Sequence, residues 1–533
     1  MKKELPDLKI NSGNPVHDSE DNPGKKSLLS RRKFVEMTAT SAAGFTILPR
    51  FVLGGKNYVA PSDMITLAYI GTGTQGTREL LPMLAVPQIR VVAVCDPNKE
   101  ARGYRDWGPN YLRDEIRKTI QDPNWTPGGD HLIPGGRDNA KEIIDKYYSN
   151  VMKVDPYKGC TTYADLRELL DKEKNIDAVK IMTPDHLHGV LCMAAMKRGK
   201  HVLVHKPISN RLAEGKKVID MARNTPKVIT HLVPWDSNGD MTPVMNWLNA
   251  GSIGTLKEIH NWTNRPVWPQ YDQLPTEKPP VPDGFDWDLW LGPEASRDYS
   301  PDYTNMVFRG WYDFGGGCMA DMGHYSLWTV FKALDLTSPT LVEPRRSHVC
   351  SFNGAVPFRI NNNFSFPTAS TVRFSYPANG NRSAVDLFWY DGGMRPDTPD
   401  ELLAQNKALP EEGMMFVGTE GKILAGFNVQ NPQIISGKNA GATTAKNAGN
   451  DNQVQETTRA LPLFVDAVKS GKQYPGNFSE AEHLTETINL YAVALRANAS
   501  LHYDGATQSI SNAPAASGYL KREYRQGWDP ESI

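Results

Sequence analysis

The sequence predicts an α/β protein. An N-terminal domain of alternating strands and helices on a parallel sheet precedes an α+β domain with a large, mostly antiparallel open sheet. Three observations predict it. The apolar run Ile65 to Ile70 leads directly into Gly71-Thr72-Gly73-Thr74-Gln75-Gly76 and a helix-like stretch. Strand-like runs at Ala178 to Met182 and His201 to Val204 each end in a turn. Finally, Val372-Arg373-Phe374-Ser375-Tyr376 alternates apolar and polar residues, and Ala384 to Tyr390 is an apolar run, as in strands of an antiparallel sheet.

Length and composition agree with this reading. A chain of 533 residues is too long for one hydrophobic core. With 59 Lys and Arg against 60 Asp and Glu, it lacks the basic excess of a nucleic-acid binder. No run of 18 apolar residues marks a transmembrane helix. The five cysteines are scattered without a C-x-x-C pair, which argues against a zinc ribbon or a disulfide framework, and no metal site is expected.

Taken in order, residues 1–60 are a leader or arm. Ser30-Arg31-Arg32-Lys33-Phe34 precedes an uncharged stretch from Met37 to Pro49, which resembles a twin-arginine export signal and implies a periplasmic protein. The alternative is a cytoplasmic protein that keeps the segment as a surface arm.

Residues 61–234 form the first domain. Its strand, glycine turn, helix and second strand (Ile89 to Val94) end in Cys95-Asp96, which together make the dinucleotide-binding (Rossmann) fingerprint. Gly71 permits the tight turn, Gly73 lets the backbone approach a pyrophosphate, and Gly76 lets helix and strand pack closely. Thr74 and Gln75 open the helix, whose N-terminal N–H groups favour phosphate. Asp96 stands 20 residues beyond Gly76, where its carboxylate accepts from ribose hydroxyls and repels a 2′-phosphate, so the expected cofactor is NAD.

Residues 104–160 interrupt the rhythm. The Pro-, Gly-, Asp- and Trp-rich stretch from Trp107 to Arg137 reads as an insertion or lid rather than a core element. Beyond it, Asp185 is the expected N-cap of a helix from His186 to Arg198. Ligands of an open parallel sheet sit beyond the carboxyl ends of its strands. Thr183, Pro184 and His186 after one strand, and His205 and Lys206 after the next, are therefore placed at the cofactor.

These motifs, with His205-Lys206-Pro207 and the later Gly315-Gly316-Gly317-Cys318-Met319-Ala320-Asp321-Met322-Gly323-His324, resemble the glucose–fructose oxidoreductase / inositol dehydrogenase (Gfo/Idh/MocA) family. The resemblance runs from about residue 61 onward. It implies that Lys206 binds the reacting substrate hydroxyl, that Pro207 shapes the turn, and that the protein is a homo-oligomer. The family signature at this strand end is Glu-Lys-Pro; His205 replaces the acid and removes a negative charge beside Lys206. A buried lysine near a cationic nicotinamide has a lowered pKa and can exchange protons with an alcohol.

Residues 235–533 form the second, substrate-binding and oligomerisation domain. Eight of the 12 tryptophans lie between 235 and 328. Flat aromatic faces suit sugar rings, so Trp262, Arg265, Trp311 and Tyr312 are the expected substrate wall, although core packing competes for the same residues. Asp321 and His324 stand three apart on a helix from Met319 to Leu334, where they share a face and could position a hydroxyl and take its proton. The resemblance implies an Asp–His pair four apart, which makes Tyr325 a competing residue. Farther on, Met415 to Val417 and Lys422 to Leu424 form a hairpin, residues 427–457 read as a long mobile loop, and Ser479 with Glu482 forms a capping box.

The leading expectation is an NAD-dependent oxidoreductase that moves hydride between nicotinamide and a hydroxyl-bearing carbon of a sugar, polyol or glycoside. Lys206 and His324 would manage the proton and Asp321 would orient them. An NAD-dependent glycoside hydrolase working by transient oxidation and elimination is the alternative, and a non-catalytic cofactor-binding protein the third. The even charge balance fits a neutral carbohydrate.

Overall fold

The computed structural model describes residues 63–100, 104–127, 133–154, 157–233, 239–380, 382–443, 453–531 and 533. The chain divides after Tyr58, and every described residue belongs to the unit that follows. Arg31, Arg32 and the rest of the expected export signal lie outside the described residues.

The first sheet is six-stranded and wholly parallel. It comprises β1 (Ile65–Ile70), β2 (Ile89–Cys95), β3 (Thr161–Tyr163), β4 (Ala178–Ile181), β5 (His201–His205) and β6 (Thr230–Val233). The spatial order is β3-β2-β1-β4-β5-β6. Helices cover both faces, so central strands are buried almost throughout and read as continuous apolar runs rather than alternating ones. The order reverses between β1 and β4, and this opens a crevice at their carboxyl ends. The turns after β1, β2, β4 and β5 all deliver residues there.

Three local expectations need correction. The helix Tyr111–Ile120 packs Leu112, Ile116 and Ile120 into the core beneath β1 and β2, so the insertion is partly a core element. Its apolar residues recur at four-residue spacing, a helix signal masked by the surrounding Pro and Gly. Asp185 does not cap its helix (Asp185–Lys197); its Oδ2 accepts the N–H of Gly316 at 3.0 Å, joining the two domains. The turn before Glu482–Ala497 is capped by Asn477, whose side chain accepts from Ser479 and Glu480.

Among the described residues the second sheet has nine strands, ordered β15-β14-β13-β7-β12-β11-β8-β16-β17, where β16 is Leu501–Asp504 and β17 Ser509–Ile510; β9 (Cys350–Asn353) and β10 (Val356–Arg359) pair apart from it. Its centre is β7 (Leu256–Trp262), β8 (Leu341–Arg346), β11 (Ser370–Tyr376), β12 (Val385–Asp391) and β13 (Gly413–Gly418). Only β7 and β12 pair in parallel, and the alternating burial of β11 and β12 matches their sequence pattern. The expected hairpin is β13 with β14 (Lys422–Ala425), paired through Val417 and Lys422. The expected loop 427–457 instead contains an edge strand, β15 (Gln433–Ser436), and the start of the helix Gln453–Ser470.

The helix Gly317–Leu334 packs on Glu482–Ala497 and begins at the glycine run. Gly317 has φ +71°, and a Cβ there would meet the Phe366 ring at 2.5 Å, so this sharp entry requires glycine. Among the described residues, no helix is long and apolar enough to cross a membrane.

Candidate functional site

The glycine turn is built by close backbone approach. Gly71 has φ +88°, and a Cβ on it would lie 2.6 Å from the Met182 carbonyl. A Cβ on Gly76 would lie 2.2 Å from the Gly71 oxygen. The helix Thr74–Leu84 starts with no side-chain cap, so its first N–H groups are left for a ligand. Asp96 shapes the same turn: Oδ2 accepts from the Thr72 N–H at 2.7 Å and Oδ1 from the Asn98 N–H at 2.8 Å. Burial raises its pKa, against the pull of these donors.

One cavity of about 350 Å³ joins this turn to the second domain. It is lined by Gly71, Gly73, Thr74, Gln75, Gly76, Asp96, Thr183, Pro184, His205 and Lys206, and across from them by Arg265, Asp321 and Tyr325. A backbone cradle that admits no Cβ, open helix N–H groups and a carboxylate at the end of β2 fit a dinucleotide.

Lys206 is 2% exposed, and its Nζ donates to Asp321 Oδ1 at 2.6 Å. The same oxygen faces Arg309 Nε at 3.2 Å. Burial alone would raise the Asp321 pKa, but Lys206 and Arg309 hold it well below the usual carboxylate range. Burial lowers the Lys206 pKa against the opposing pull of Asp321. The lysine is thus both held in place and disposed to give up a proton. Its Nζ also lies 5.2 Å from the centre of the Tyr325 ring.

His205, where the sequence lacks an acid, has a carboxylate beside it. Glu79, on the helix after the glycine turn, places Oε1 3.1 Å from His205 Nε2 and Oε2 2.7 Å from Lys180 Nζ. All three side chains are buried. Burial opposes ionisation of Glu79, but Lys180 and His205 keep its pKa far below normal. Nothing in the linear motif links Glu79 or Lys180 to Lys206; both stand on elements separated in sequence.

Five expected site residues lie elsewhere. His186 is fully buried at the domain seam, its ring nitrogens 3.3 Å from the Phe314 carbonyl and 2.9 Å from that of Trp290. Trp262 is core, with Nε1 donating to the Pro410 carbonyl. Trp311 donates to the Asp302 carbonyl within an aromatic cluster, and Tyr312 packs on Phe366. His324 is buried, does not line the cavity, and makes no hydrogen bond through either ring nitrogen; the Ala320 carbonyl one turn back is the polar group facing it. Burial, and then the nearby Lys206 charge, push its pKa down to about 3.

Helix geometry explains the difference. At about 100° per residue, Asp321, Tyr325 and Met322 span one arc, whereas His324 falls about 60° to the other side of Asp321. The cavity wall also includes Trp268, Trp290 and Arg309, from the tryptophan-rich stretch expected to face a sugar, and Tyr104 and Trp107, which were not expected as wall residues. Tyr104 lies over Gly73, and Thr74 Oγ donates to the Arg105 carbonyl at 2.9 Å, so the insertion covers the turn. Its Tyr-Arg-Asp-Trp run was the available signal. Among the described residues, no group of three His, Cys, Asp or Glu could hold a metal.

Residues 117–232 match the family model described as the oxidoreductase family, NAD-binding Rossmann fold, and residues 246–348 its C-terminal alpha/beta domain. A levoglucosan dehydrogenase of Pseudarthrobacter phenanthrenivorans is 30% identical over 115 residues, 20% of this chain and 28% of that protein. A glycosyl hydrolase family 109 protein of Streptomyces filamentosus is 27% identical over 193 residues, 36% of this chain and 31% of that protein. The chain spans less than a third of the length of either relative. A solved levoglucosan dehydrogenase, in complex with NADH and L-sorbose, superposes with a TM-score of 0.47 and 13% identity, covering 85% of this chain and 99% of that one. The N-terminal domain of this chain is an NAD-binding Rossmann domain.

Proposed function

From a chain that belongs to the Gfo/Idh/MocA oxidoreductase family, we propose an NAD-dependent dehydrogenase acting on a hydroxyl-bearing carbon of a sugar, polyol or glycoside. The observation that carries this reading is the buried Lys206–Asp321 pair facing the cavity that the glycine turn opens.

Gly71, Gly73 and Gly76, with Thr74 and Gln75, would hold the pyrophosphate, and Asp96 the ribose. Thr183, Pro184 and His205 would line the nicotinamide end. Bound NAD supplies the hydride acceptor. Lys206 Nζ binds the substrate hydroxyl and, in the neutral amine form that its lowered pKa favours, takes its proton. Asp321 stabilises the resulting ammonium and fixes its direction. Tyr325, rather than His324, lines the cavity beside Lys206 and would supply a hydroxyl there. His205, held by Glu79, fixes the start of the lysine turn.

Incubating the purified protein with NAD+ and a panel of polyols, sugars and glycosides tests the proposal. Substrate-dependent NADH with a keto product supports it; no NADH from any compound sinks it. The similarity to a glycosyl hydrolase family 109 protein favours one second reading, transient oxidation followed by elimination. Aglycone release without accumulating NADH identifies that reaction. Unchanged turnover in Lys206→Ala would remove the lysine from the chemistry, whereas NAD binding with no turnover of any compound would return the chain to the third reading, cofactor binding without catalysis.

The Arg31-Arg32 pair supports export of the protein, and the family resemblance supports a homo-oligomer. Fractionation of an Arg31→Lys/Arg32→Lys variant and light scattering of the purified protein check these two readings.

A further inference from the structure

The substrate end of the cavity is more cationic than the even charge of the whole chain. Lys206, Arg309 and Arg265 line it. Two carboxylates answer them. Asp321 pairs with both Lys206 and Arg309. Asp185 acts on Lys206 through space while accepting the Gly316 N–H. Glu412, near the start of the Arg265 segment, is occupied by the Thr263 hydroxyl and the Asn264 N–H.

Arg265 is the cation without a direct partner, although its charge also acts on Asp321 through space. Among the described residues its guanidinium forms no ion pair, and its Nε is buried without a hydrogen bond. Its Cζ lies 5.0 Å from the centre of the Trp107 ring, and that indole is 52% exposed. Arginine cannot shed its charge, and a buried unpaired N–H is costly. A guanidinium held over an indole without an ion pair keeps N–H donors for a ligand, and its planar fork can receive a carboxylate through two parallel hydrogen bonds.

We infer that the substrate of this site carries a carboxylate, bound by Arg265, so that it is a sugar acid or related polyhydroxy acid rather than the neutral sugar expected from the overall charge. The inference rests on the proposed oxidation of a hydroxyl in this cavity. A single guanidinium without a direct ion pair matches one carboxylate; a phosphate ester, at nearly two negative charges, would leave charge unmatched.

The test uses the full chain and matched compounds: D-glucuronate, D-galacturonate and D-gluconate, the methyl esters of the two uronates, D-glucose, and glucose 6-phosphate. NADH formation is followed from the NAD+-loaded protein, and direct binding is followed by calorimetry on the NADH-loaded protein. A free uronate is expected to be favoured over its methyl ester by about thirtyfold. Arg265→Gln should bring that ratio close to one, Arg265→Lys should keep part of it, and NADH affinity should stay within about twofold because Arg265 faces the substrate. Equal handling of acid and ester, a preference that survives Arg265→Gln, preference for the phosphate ester, or no binding of any carboxylate each overturns the inference. NADH formed equally from acids and neutral sugars leaves the dehydrogenase reading standing. Arg265-dependent carboxylate binding without NADH from any compound does the reverse.

Discussion

At the cofactor end of the cavity the ligand surface is mostly backbone; at the substrate end it is almost wholly side chain. Gly71, Gly73 and Gly76 form a continuous turn whose shape depends on absent Cβ atoms. Lys206, Asp321, Arg309, Arg265 and Trp107 come from five separated segments and meet only in the folded chain. A backbone site is written as a short local pattern, and a side-chain site depends on which face of each element turns inward. The two ends should therefore fail in different ways.

The largest expected effect lies at the substrate end. Lys206→Ala removes the group proposed to take the hydroxyl proton and should lower turnover by about a thousandfold. NADH binding, read by fluorescence, separates lost chemistry from lost cofactor. Gly76→Ala attacks the opposite end: its Cβ would sit 2.2 Å from the Gly71 oxygen. A displaced turn should weaken NADH binding by about thirtyfold, near 2 kcal/mol. If Gly76→Ala instead kept its NADH affinity, the contrast between the two ends would collapse.

Acid should act through a third kind of residue. His186, His231 and His324 are buried, and burial pushes each pKa down to about 3. A histidine kept neutral by the fold contributes stability above its unfolded pKa, near 6.5, and loses it as pH falls from there toward 3. Urea unfolding at pH 7.5 and pH 5 should differ by on the order of a few kcal/mol. His186→Phe should reduce that difference, because its ring bridges the Phe314 and Trp290 carbonyls at the seam. The smallest effect on function concerns a residue that the sequence offered as a substrate contact. Trp262→Phe should cost about 2 kcal/mol through a lost hydrogen bond and a small void, with substrate KM unchanged.

The legibility of each residue follows the same division. Gly71 to Gly76, Asp96 and the strand-end turns were readable because their spacing is enforced within a few residues of one strand end. The tryptophans misled because aromatic content has two uses. Trp262 and Trp311 spend their indoles on the core, while Trp107, from a stretch read as a lid, faces the cavity. His324 misled by one helical position, since residues three apart share a face only broadly. Glu79 was invisible because the charge it supplies to His205 crosses from one βα unit to another.

The buried charges behind the site carry a kinetic consequence. Arg522 reaches between Glu214 and Glu294, donates to Asn210 across a separation of 312 residues, and is followed by Arg525 on Asp288 and by the buried Trp528. The central pairing of the nucleotide-binding sheet joins residues 111 apart, as Thr66 and Asp177 are, but these acidic groups wait for a partner synthesised far later. Such distant closure slows folding, because chain entropy is lost before the contact forms. Maturation should thus finish with the docking of this late segment, whereas proteolysis that removed it would leave Glu214 without the arginine that neutralises it and Glu294 with Arg211 alone.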